Sequence, residues 1–473
     1  MPAPRRRLAS PDGLAAGFEA VRRELEVPVE HPPEALAEAR AAAAGSRPPV
    51  DGERRDLRDV PFVTLDPAGS TDLDQAMHLE RRASGYRVRY AIADTAAFVV
   101  PGGALDRAVH ERVTTVYCPD TRVPLHPAEI SEGAGSLLPG QDRPAVVWSF
   151  ELAEDGEVAD VAVERATVRS RAQLDYAGAQ ARLDAGVDRD DVLALLVEIG
   201  GRRLALERAR GGVSLGLPEQ EVRRGAGGWE LVRRAPLPVE DHNAQLSLMT
   251  GMAAATLMTQ GGVGVLRTMP AADAEAVASL RATARALGVP WPDGASYGAV
   301  LDGLDRTLPS TSAFLDAATS LFRGAAWTPF EGEPPADKVH GAVGAPYAHV
   351  TAPLRRLVDR YGLEVSLAVQ AGRDVPGWVL EALPRLGEEM AVGTARANAV
   401  DRACTDLVEA ALLEPLVGTV LEGVALDART VALTEPAVVA RTAERDLPAG
   451  ERVRVRVAQA DVATRTVRLE LEG

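Results

Sequence analysis

The sequence predicts an α+β protein in which a mixed sheet with surrounding helices is followed by a small C-terminal β-barrel. Three stretches carry that expectation. From Asp56 to about Arg169, apolar and polar residues alternate with the period of two that half-buried strands require, as in Tyr86-Arg-Val-Arg-Tyr-Ala-Ile92 and Ala145-Val-Val-Trp-Ser-Phe-Glu-Leu152. Between Asp191 and Leu413 the apolar period lengthens to that of helices. From Val417 to Gly473 short strand-like runs return: Gly418-Thr-Val-Leu421, Thr430-Val-Ala-Leu433, Glu451-Arg-Val-Arg-Val-Arg-Val457 and Thr466-Val-Arg-Leu-Glu-Leu471. Such a series of short strands suits a barrel of the OB type, and any other small β-domain would share the pattern.

Taken in order, residues 1–54 are rich in Ala, Arg, Glu and Pro. A short helix over Gly17–Glu26 is expected there, broken by Pro32-Pro33 and Pro48-Pro49, so the segment reads as a partly ordered N-terminal leader. Residues 55–413 form the main domain. Its strands are Val60–Leu65, Ala76–Glu80 and Tyr86–Ile92 after the Ser84-Gly85 turn, then Ala145–Leu152 and Val158–Val168 around Asp155-Gly156. Its helices are Asp191–Arg210, Asp241–Thr259 stopped by Gly261-Gly262, Asp273–Leu287 ended by Gly288, Pro353–Val369 and Trp378–Leu413. Residues 414–473 are the barrel.

The chain has 473 residues, enough for one large domain with small appendages, and its 25% charged and 46% hydrophobic content suits a water-soluble core. No apolar run is long enough to span a bilayer, and no membrane partner is expected. The basic Met1-Pro-Ala-Pro-Arg-Arg-Arg7 has no apolar segment behind it, unlike a secretory signal. Cys118 and Cys404 cannot make a disulfide framework or a zinc site, and they read as free thiols of a reduced, cytoplasmic protein. A net charge of −16 argues against a general nucleic-acid coat protein but leaves room for an enzyme with a locally basic channel. The basic residues are almost all arginine, with Lys338 the lone lysine.

The chemistry concentrates in Asp66-Pro-Ala-Gly-Ser-Thr-Asp72-Leu-Asp74-Gln75. Crowded carboxylates in a Pro/Gly/Ser/Thr setting make a poor core and a good seat for a hard divalent cation. At about 4 Å, two carboxylates repel by roughly 1 to 4 kcal/mol depending on the dielectric, and a counter-cation removes that repulsion. If Asp72-Leu73-Asp74 is extended, both carboxylates point one way and Leu73 points into the fold. Gly69 and Ser70 then let the loop curl back toward Asp66. Mg²⁺ takes oxygen ligands and keeps several waters, and such sites clamp the oxygens of a phosphodiester. A solvated acidic surface loop is the bland alternative.

Two further stretches stand out. In Pro346-Tyr-Ala-His-Val-Thr351-Ala-Pro353-Leu-Arg355-Arg356, the Thr-x-Pro step resembles a helix start. Arg355 and Arg356 would then occupy first turns, where cations are disfavoured by the helix dipole. An arginine fork placed against that cost suits a scissile phosphate, although a solvated arginine pair has the same sequence. In Val116-Tyr117-Cys118-Pro119-Asp120 an aromatic lies between a short strand and a proline turn. Only 4% of the chain is aromatic, so Tyr117 and Tyr176 are candidates for stacking a base, worth roughly 1 to 3 kcal/mol each.

Together these segments resemble the RNB family, the ribonuclease II and ribonuclease R exoribonucleases. The run from Arg58 through Asp66, Asp72 and Asp74 to Ala76 looks like its signature. Tyr90–Asp94, Leu105-Asp106, Arg112–Asp120, Val123–Pro127, Ser136–Pro139 and Ser170–Tyr176 follow in the family's order, and His349–Arg356 resembles its late Thr-Ser-Pro-Ile-Arg-Arg block. The resemblance covers roughly residues 55–405. It implies an RNB catalytic domain with a C-terminal RNA-binding module, and hydrolysis of single-stranded RNA from the 3′ end to nucleoside 5′-monophosphates with Mg²⁺, Mn²⁺ being a substitute. It implies catalytic roles for Asp66, Asp72, Asp74 and Arg355. Metal ligation would fall to Asp66, Asp72, Asp74 and Gln75, and RNA contacts to Tyr117, Tyr176, Arg356 and Gln245.

Three departures sharpen this. Gln75 stands where the family has a fourth aspartate, which removes a negative charge from the metal site. The family's helix with paired glutamates appears as Asn243-Ala-Gln245-Leu, with Gln245 in the glutamate's place. No pair of cold-shock barrels fits in the first 50 or so residues. The competing expectation is therefore a catalytically weak or inactive RNA-binding protein on the same scaffold.

Overall fold

The computed structural model describes residues 12–45, 54–214, 219–225, 228–305, 308–443 and 446–472. The basic first residues and the Pro48-Pro49 break lie outside them.

Within the described residues the chain order is α1 (Asp12–Glu24), α2 (Pro33–Ala43), β1 (Arg55–Leu57), β2 (Val63–Asp66), β3 (Gln75–Arg81), β4 (Tyr86–Ala93), α3 (Ala104–Arg112), β5 (Val116–Tyr117), β6 (Arg122–Val123), β7 (Asp142–Leu152), β8 (Val158–Arg169), β9 (Ala172–Asp175), α4 (Tyr176–Ala185) and α5 (Val192–Ala209). Then come β10 (Glu219–Gly225), β11 (Gly228–Arg234), α6 (Pro238–Gly261), β12 (Val263–Thr268), α7 (Ala274–Ala286), α8 (Tyr297–Asp302), α9 (Pro309–Ala318), β13 (Ala326–Glu331), β14 (Val339–His340), β15 (Ala345–Pro346), α10 (Leu357–Gln370) and α11 (Gly377–Leu413). The tail is β16 (Val420–Ala425), β17 (Thr430–Leu433), β18 (Val439–Arg441), β19 (Arg452–Asp461) and β20 (Thr466–Leu471).

The main sheet runs β1-β8-β7-β4-β3-β2-β9. Its centre is antiparallel, and its two outer pairs, β1 with β8 and β2 with β9, are parallel, so it is mixed as expected. Period-two alternation divides its faces. Val88, Tyr90 and Ile92 of β4 and Val146, Trp148 and Phe150 of β7 enter the large core, which they share with α5, α6 and α10. The intervening Ala91, Ala93, Ala145 and Val147 face a smaller cluster with Leu73, Leu137 and Leu354. Small residues on that face let two irregular loops, around Leu73 and Leu354, lie directly on the sheet. That is the foundation of the site.

The tail forms a five-stranded sheet, β18-β17-β16-β19-β20, and a bridge from Thr442 to Leu469 brings its ends together into a nearly closed barrel of the OB type. Its core is continuous with the second half of α11 and with α1, through Phe18, Val21, Cys404, Leu407 and Val408. Here two expectations need correction. The described part of the leader carries two packed helices: Phe18 and Val21 of α1 are fully buried, and Ala35 and Ala39 of α2 join the large core. The α10 helix begins at Leu357 rather than Pro353. The Thr351–Pro353 step is not its cap, because tertiary bonds hold that segment as a loop. No helix among the described residues is long and apolar enough to cross a membrane.

Candidate active site

Asp66 is the last residue of β2, whose parallel register with β9 sets it beside Asp175. Tyr176 follows at once as the first residue of α4, where the Asp175 side chain caps the helix by accepting the Gly178 N–H at 2.8 Å. The edge pairing of two strands thus delivers Tyr176 next to Asp66. The tyrosine hydroxyl lies 3.3 Å from Nδ2 of Asn243 on α6, and its acidity is weakened by burial and by the Asp66 charge.

The Asp72–Asp74 stretch is pinned from both sides. Ser136 Oγ donates to the Thr71 carbonyl at 2.7 Å and accepts the Leu73 N–H at 2.9 Å, while Leu73 O accepts the Leu137 N–H at 3.0 Å. Leu73 is fully buried, as its position between two acids implied. Asp74 is also buried, at 3% exposure, and its Oδ1 accepts the N–H of Leu354 at 2.8 Å. Burial pushes its carboxyl up to about 8 against the pull of Arg355, and pushes Asp66 up to about 6. The Asp72 carboxylate turns to Arg122 on β6, which also reaches Glu132 and, at 3.0 Å, Thr71 Oγ1.

Arg355 sits on the loop opposite, with Nε 3.6 Å from Asp74 Oδ2. Burial works most strongly against its charge, and Asp74, Tyr117 and Asp359 together outweigh it. The loop is stitched to the segment ahead of Tyr117: Arg355 O accepts from Thr115 N at 3.0 Å and from Thr114 Oγ1 at 2.9 Å, and Val113 O accepts the Leu357 N–H at 2.9 Å. His126 Nε2, 3.1 Å from Pro353 O, fixes the loop from below; burial lowers this imidazole to about 3, so it donates as a neutral ring. Tyr117 is 51% exposed, unusual for a tyrosine in a chain this poor in aromatics. Its hydroxyl is held protonated by burial and by Asp72 and Asp74, with Arg355 opposing. Arg355 is thus the common neighbour of the half-exposed Tyr117 ring and of the Asp66 and Asp74 carboxylates.

Four expected site residues are engaged elsewhere. Asp72, an expected catalytic acid and metal ligand, is held by Arg122. Gln245 is buried, with its amide on Glu207 of α5, and Asn243, two residues earlier on α6, is the residue that meets the Tyr176 hydroxyl. Arg356 is bound to Asp359 by two nitrogens, at 3.0 and 2.8 Å, and Asp359 Oδ2 also accepts the Ala352 N–H at 2.7 Å. That pair braces the loop instead of presenting a second free cation. Gln75 donates its amide N–H to the Thr351 carbonyl, so it ties the acidic loop to the arginine loop instead of standing as a ligand beside the acids. The sequence reading missed Arg122, Ser136 and Asp359, which have no local signal, and Asn243, for which helix phase was a signal.

The donor set fits a hard cation that brings its own water. Asp66 Oδ2 is buried with no hydrogen-bond partner, the orphaned atom a cation would satisfy. Among the described residues no three acidic, histidine or cysteine side chains converge into a ready cage. Mg²⁺ does not need one, since it is commonly held by one or two carboxylates and retained waters. Asp66 and Asp74 are the residues that would hold it.

The chain is similar to known proteins. The RNB domain matches residues 54–363, and the RNase II-type exonuclease C-terminal S1 domain matches residues 418–472. Ribonuclease R of Escherichia coli (strain K12) is 27% identical over 401 residues, which cover 78% of this chain and 48% of that protein. The chain spans about half or less of the length of the curated relatives it matches. Mycoplasma genitalium RNase R in complex with ribose-methylated single-stranded RNA superposes with a TM-score of 0.83 at 16% identity, covering 98% of this chain and 78% of that one. Yeast Ssd1, a pseudonuclease, superposes with a TM-score of 0.72 at 15% identity, covering 98% of this chain and 58% of its own. At such identities these structures speak for the fold, whereas the RNB domain match takes in more than half of the sequence: the chain belongs to the RNB family.

Proposed function

We propose that this protein is a 3′-to-5′ exoribonuclease that hydrolyses single-stranded RNA to nucleoside 5′-monophosphates with Mg²⁺. The observation that carries the reading is that Arg355 neighbours Tyr117, Asp66 and Asp74 at once, on a loop held by bonds to Thr114–Thr115. Single-stranded RNA is the substrate because a half-exposed ring stacks an unpaired base; RNA as the ligand class is supported by solved relatives of the same fold that hold single-stranded and double-stranded RNA.

The terminal base stacks on Tyr117, and Tyr176, fixed by Asn243, borders the same space. Arg355 swings its guanidinium from Asp74 to the phosphate oxygens, where it stabilises the charge that builds in the transition state. Asp66 and Asp74 would hold the cation, and Asp74, raised by burial, would bind it in competition with a proton. When bound, Mg²⁺ lowers the pKa of a coordinated water and polarises the phosphoryl oxygen. Asp72, neutralised by Arg122, keeps the loop in shape.

The second reading, an RNA-binding protein with little activity, is favoured by Gln75 and by the Arg122–Asp72 pair, which together take two acids out of the metal's reach. Incubating 3′-labelled and 5′-labelled single-stranded RNA with Mg²⁺ or Mn²⁺ separates them. Labelled mononucleotide from the 3′ end at early times supports the nuclease. Binding without cleavage at saturating metal supports the second reading, and release from the 5′ end sinks both.

A further inference from the structure

The chain's only two cysteines, far apart in sequence, are neighbours in space. Cys404 is buried on the second half of α11, and Cys118 packs against the same apolar cluster from the turn between β5 and β6. The two thiols sit in the same cluster and each is the first influence on the other's acidity. Cys118 is only partly buried, so solvent reaches it. The guanidinium of Arg22 on α1 lies beside its thiol and grips Asp120, two residues on, through hydrogen bonds of 2.7 and 3.0 Å. The Cys118 N–H closes the turn onto Thr121 O at 2.9 Å, so the thiol has little freedom to leave its partner. A reachable thiol beside a positive charge, with a second thiol behind it, is the arrangement in which one cysteine is oxidised first and the other resolves it. The hydrogen bond from Cys404 and the Arg22 charge hold the Cys118 thiol below the usual thiol range, which agrees with that order.

We propose that Cys118 and Cys404 are an oxidisable pair that closes to a reversible disulfide under peroxide and, in closing, draws Tyr117 away from the acidic loop. The Cys118 thiolate attacks one peroxide oxygen, the O–O bond breaks, and hydroxide leaves, which makes a sulfenic acid. The Cys404 thiol then attacks that sulfur and expels the oxygen as water. Two thiols lose two electrons and two protons, and one peroxide becomes two waters. The sulfurs move from non-bonded contact to a bond of about 2 Å. Cys404 is fixed in the core, so the β5–β6 turn moves. Tyr117 is the residue immediately before Cys118, and its ring moves with the turn. This consequence for RNA rests on the reading of Tyr117 as a base-stacking residue; the disulfide does not.

The test uses the full chain, reduced, then treated with a few equivalents of hydrogen peroxide and mapped by non-reducing peptide mass spectrometry. The expected product is one intramolecular Cys118–Cys404 cross-link, reversed by dithiothreitol. In Cys404→Ala the same treatment should leave Cys118 as a sulfenic acid that dimedone traps. Cys404→Ser serves as a second variant, and thermal melting checks that both are folded. Unreacted thiols, or cross-links between molecules, would overturn the proposal. Binding of a short fluorescent single-stranded RNA should weaken by about fivefold or more on oxidation, the low end of what one base stack supplies, and recover with dithiothreitol. Cys404→Ala, which carries the same methionines, should show no such loss. Equal affinity of the oxidised and reduced protein would overturn the link to Tyr117. Failure of the reduced protein to bind RNA at all would instead overturn the stacking reading and leave the cross-link result standing.

Discussion

Arg355 and Asp74 are joined twice: the guanidinium Nε stands 3.6 Å from Asp74 Oδ2, and the backbone N–H just before it, on Leu354, donates to Asp74 Oδ1 at 2.8 Å. The acid that would hold the cation is therefore also the acid that positions the arginine loop. Arg355 is 46% exposed at its side chain while Asp74 is 4%, so the arginine is the mobile member.

That asymmetry predicts how Arg355→Ala should behave. The loop keeps its backbone bond to Asp74, so folding and RNA binding should change little. The chemical step should slow by about 10²–10³-fold, the usual loss when one preorganised transition-state donor is removed. Arg355→Lys should recover only a small part, because an ammonium cannot fork onto two phosphate oxygens. Single-turnover cleavage alongside binding titration measures both. A loss of binding equal to the loss of rate would show instead that Arg355 holds the ground state.

The two buried carboxyls predict a pH dependence. The folded pKa values of Asp66 and Asp74 are raised from 3.8 to about 6 and about 8. At these two groups the folded state therefore binds more protons than the unfolded chain between these limits, so they contribute a metal-free cost that grows as pH rises from about 4 to about 8, against the opposite contribution of buried neutral histidines such as His126. Asp74→Asn removes the larger part of this cost. Without divalent ions the variant should match the parent near pH 4 and melt higher at pH 8. Saturating Mg²⁺ should help only the parent, and more so at pH 8 than at pH 6, because the ion competes with protons. Melting curves of parent and variant across this range check the sign; a stability difference that does not grow from pH 4 to pH 8 without metal would contradict it.

Gln75 supports a third prediction. Its amide N–H goes to the Thr351 carbonyl, a bond no carboxylate can donate. Gln75→Asp, which restores the acid common in the family, should cost about 1–3 kcal/mol in EDTA by leaving a part-buried carbonyl unpaired. Added Mg²⁺ or Mn²⁺ should then stabilise the variant more than the parent. Chemical denaturation with and without the ions tests this. An equal response would place residue 75 outside the cation's reach.

How far the sequence carried this site depended on the range of each contact. The alternation that buries Leu73 between Asp72 and Asp74 is local, and so are the strands that frame the acidic loop. The strands of the tail were legible for the same reason, since three of their four pairings join sequence neighbours, but closure through β16 with β19 was not, so the sequence could not choose the barrel from other small β-domains. Arg122 was not: its bond to Asp72 depends on the β5–β6 hairpin folding over the loop, which no spacing encodes. The start of α10 was misplaced because Thr-x-Pro is a sound local cap signal, and Asp359, taking the Ala352 N–H, overrides it through a bond made only in the folded loop. Gln245 and Asn243 were distinguishable in principle. Residues two apart on a helix point to different sides, and Gln245 lies on the side that carries Leu246 and Met249 into the core.

The last prediction concerns a strained residue under the arginine loop. Val113 has a φ of +67°, a region β-branched residues rarely enter. It ends α3 and supplies the carbonyl that accepts the Leu357 N–H at 2.9 Å. Gly393, inside α11, is what makes room for it: a methyl group there would lie 2.5 Å from Val113 Cβ. Gly393→Ala would ordinarily stabilise a helix by about 1 kcal/mol. Here the clash is with a Cβ atom, which cannot swing aside, so the substitution should instead cost about 1–3 kcal/mol. The displaced Val113 would carry Thr114 and Thr115 with it, and through them the Arg355 carbonyl. Single-turnover cleavage should therefore fall further than RNA binding. Val113→Gly on the same background removes the clashing Cβ and suits the positive φ, so the double variant should regain part of both losses. Denaturant melts and cleavage rates of the two single variants and the double variant form a closed cycle. Simple additivity in that cycle would show that the two residues do not act through each other.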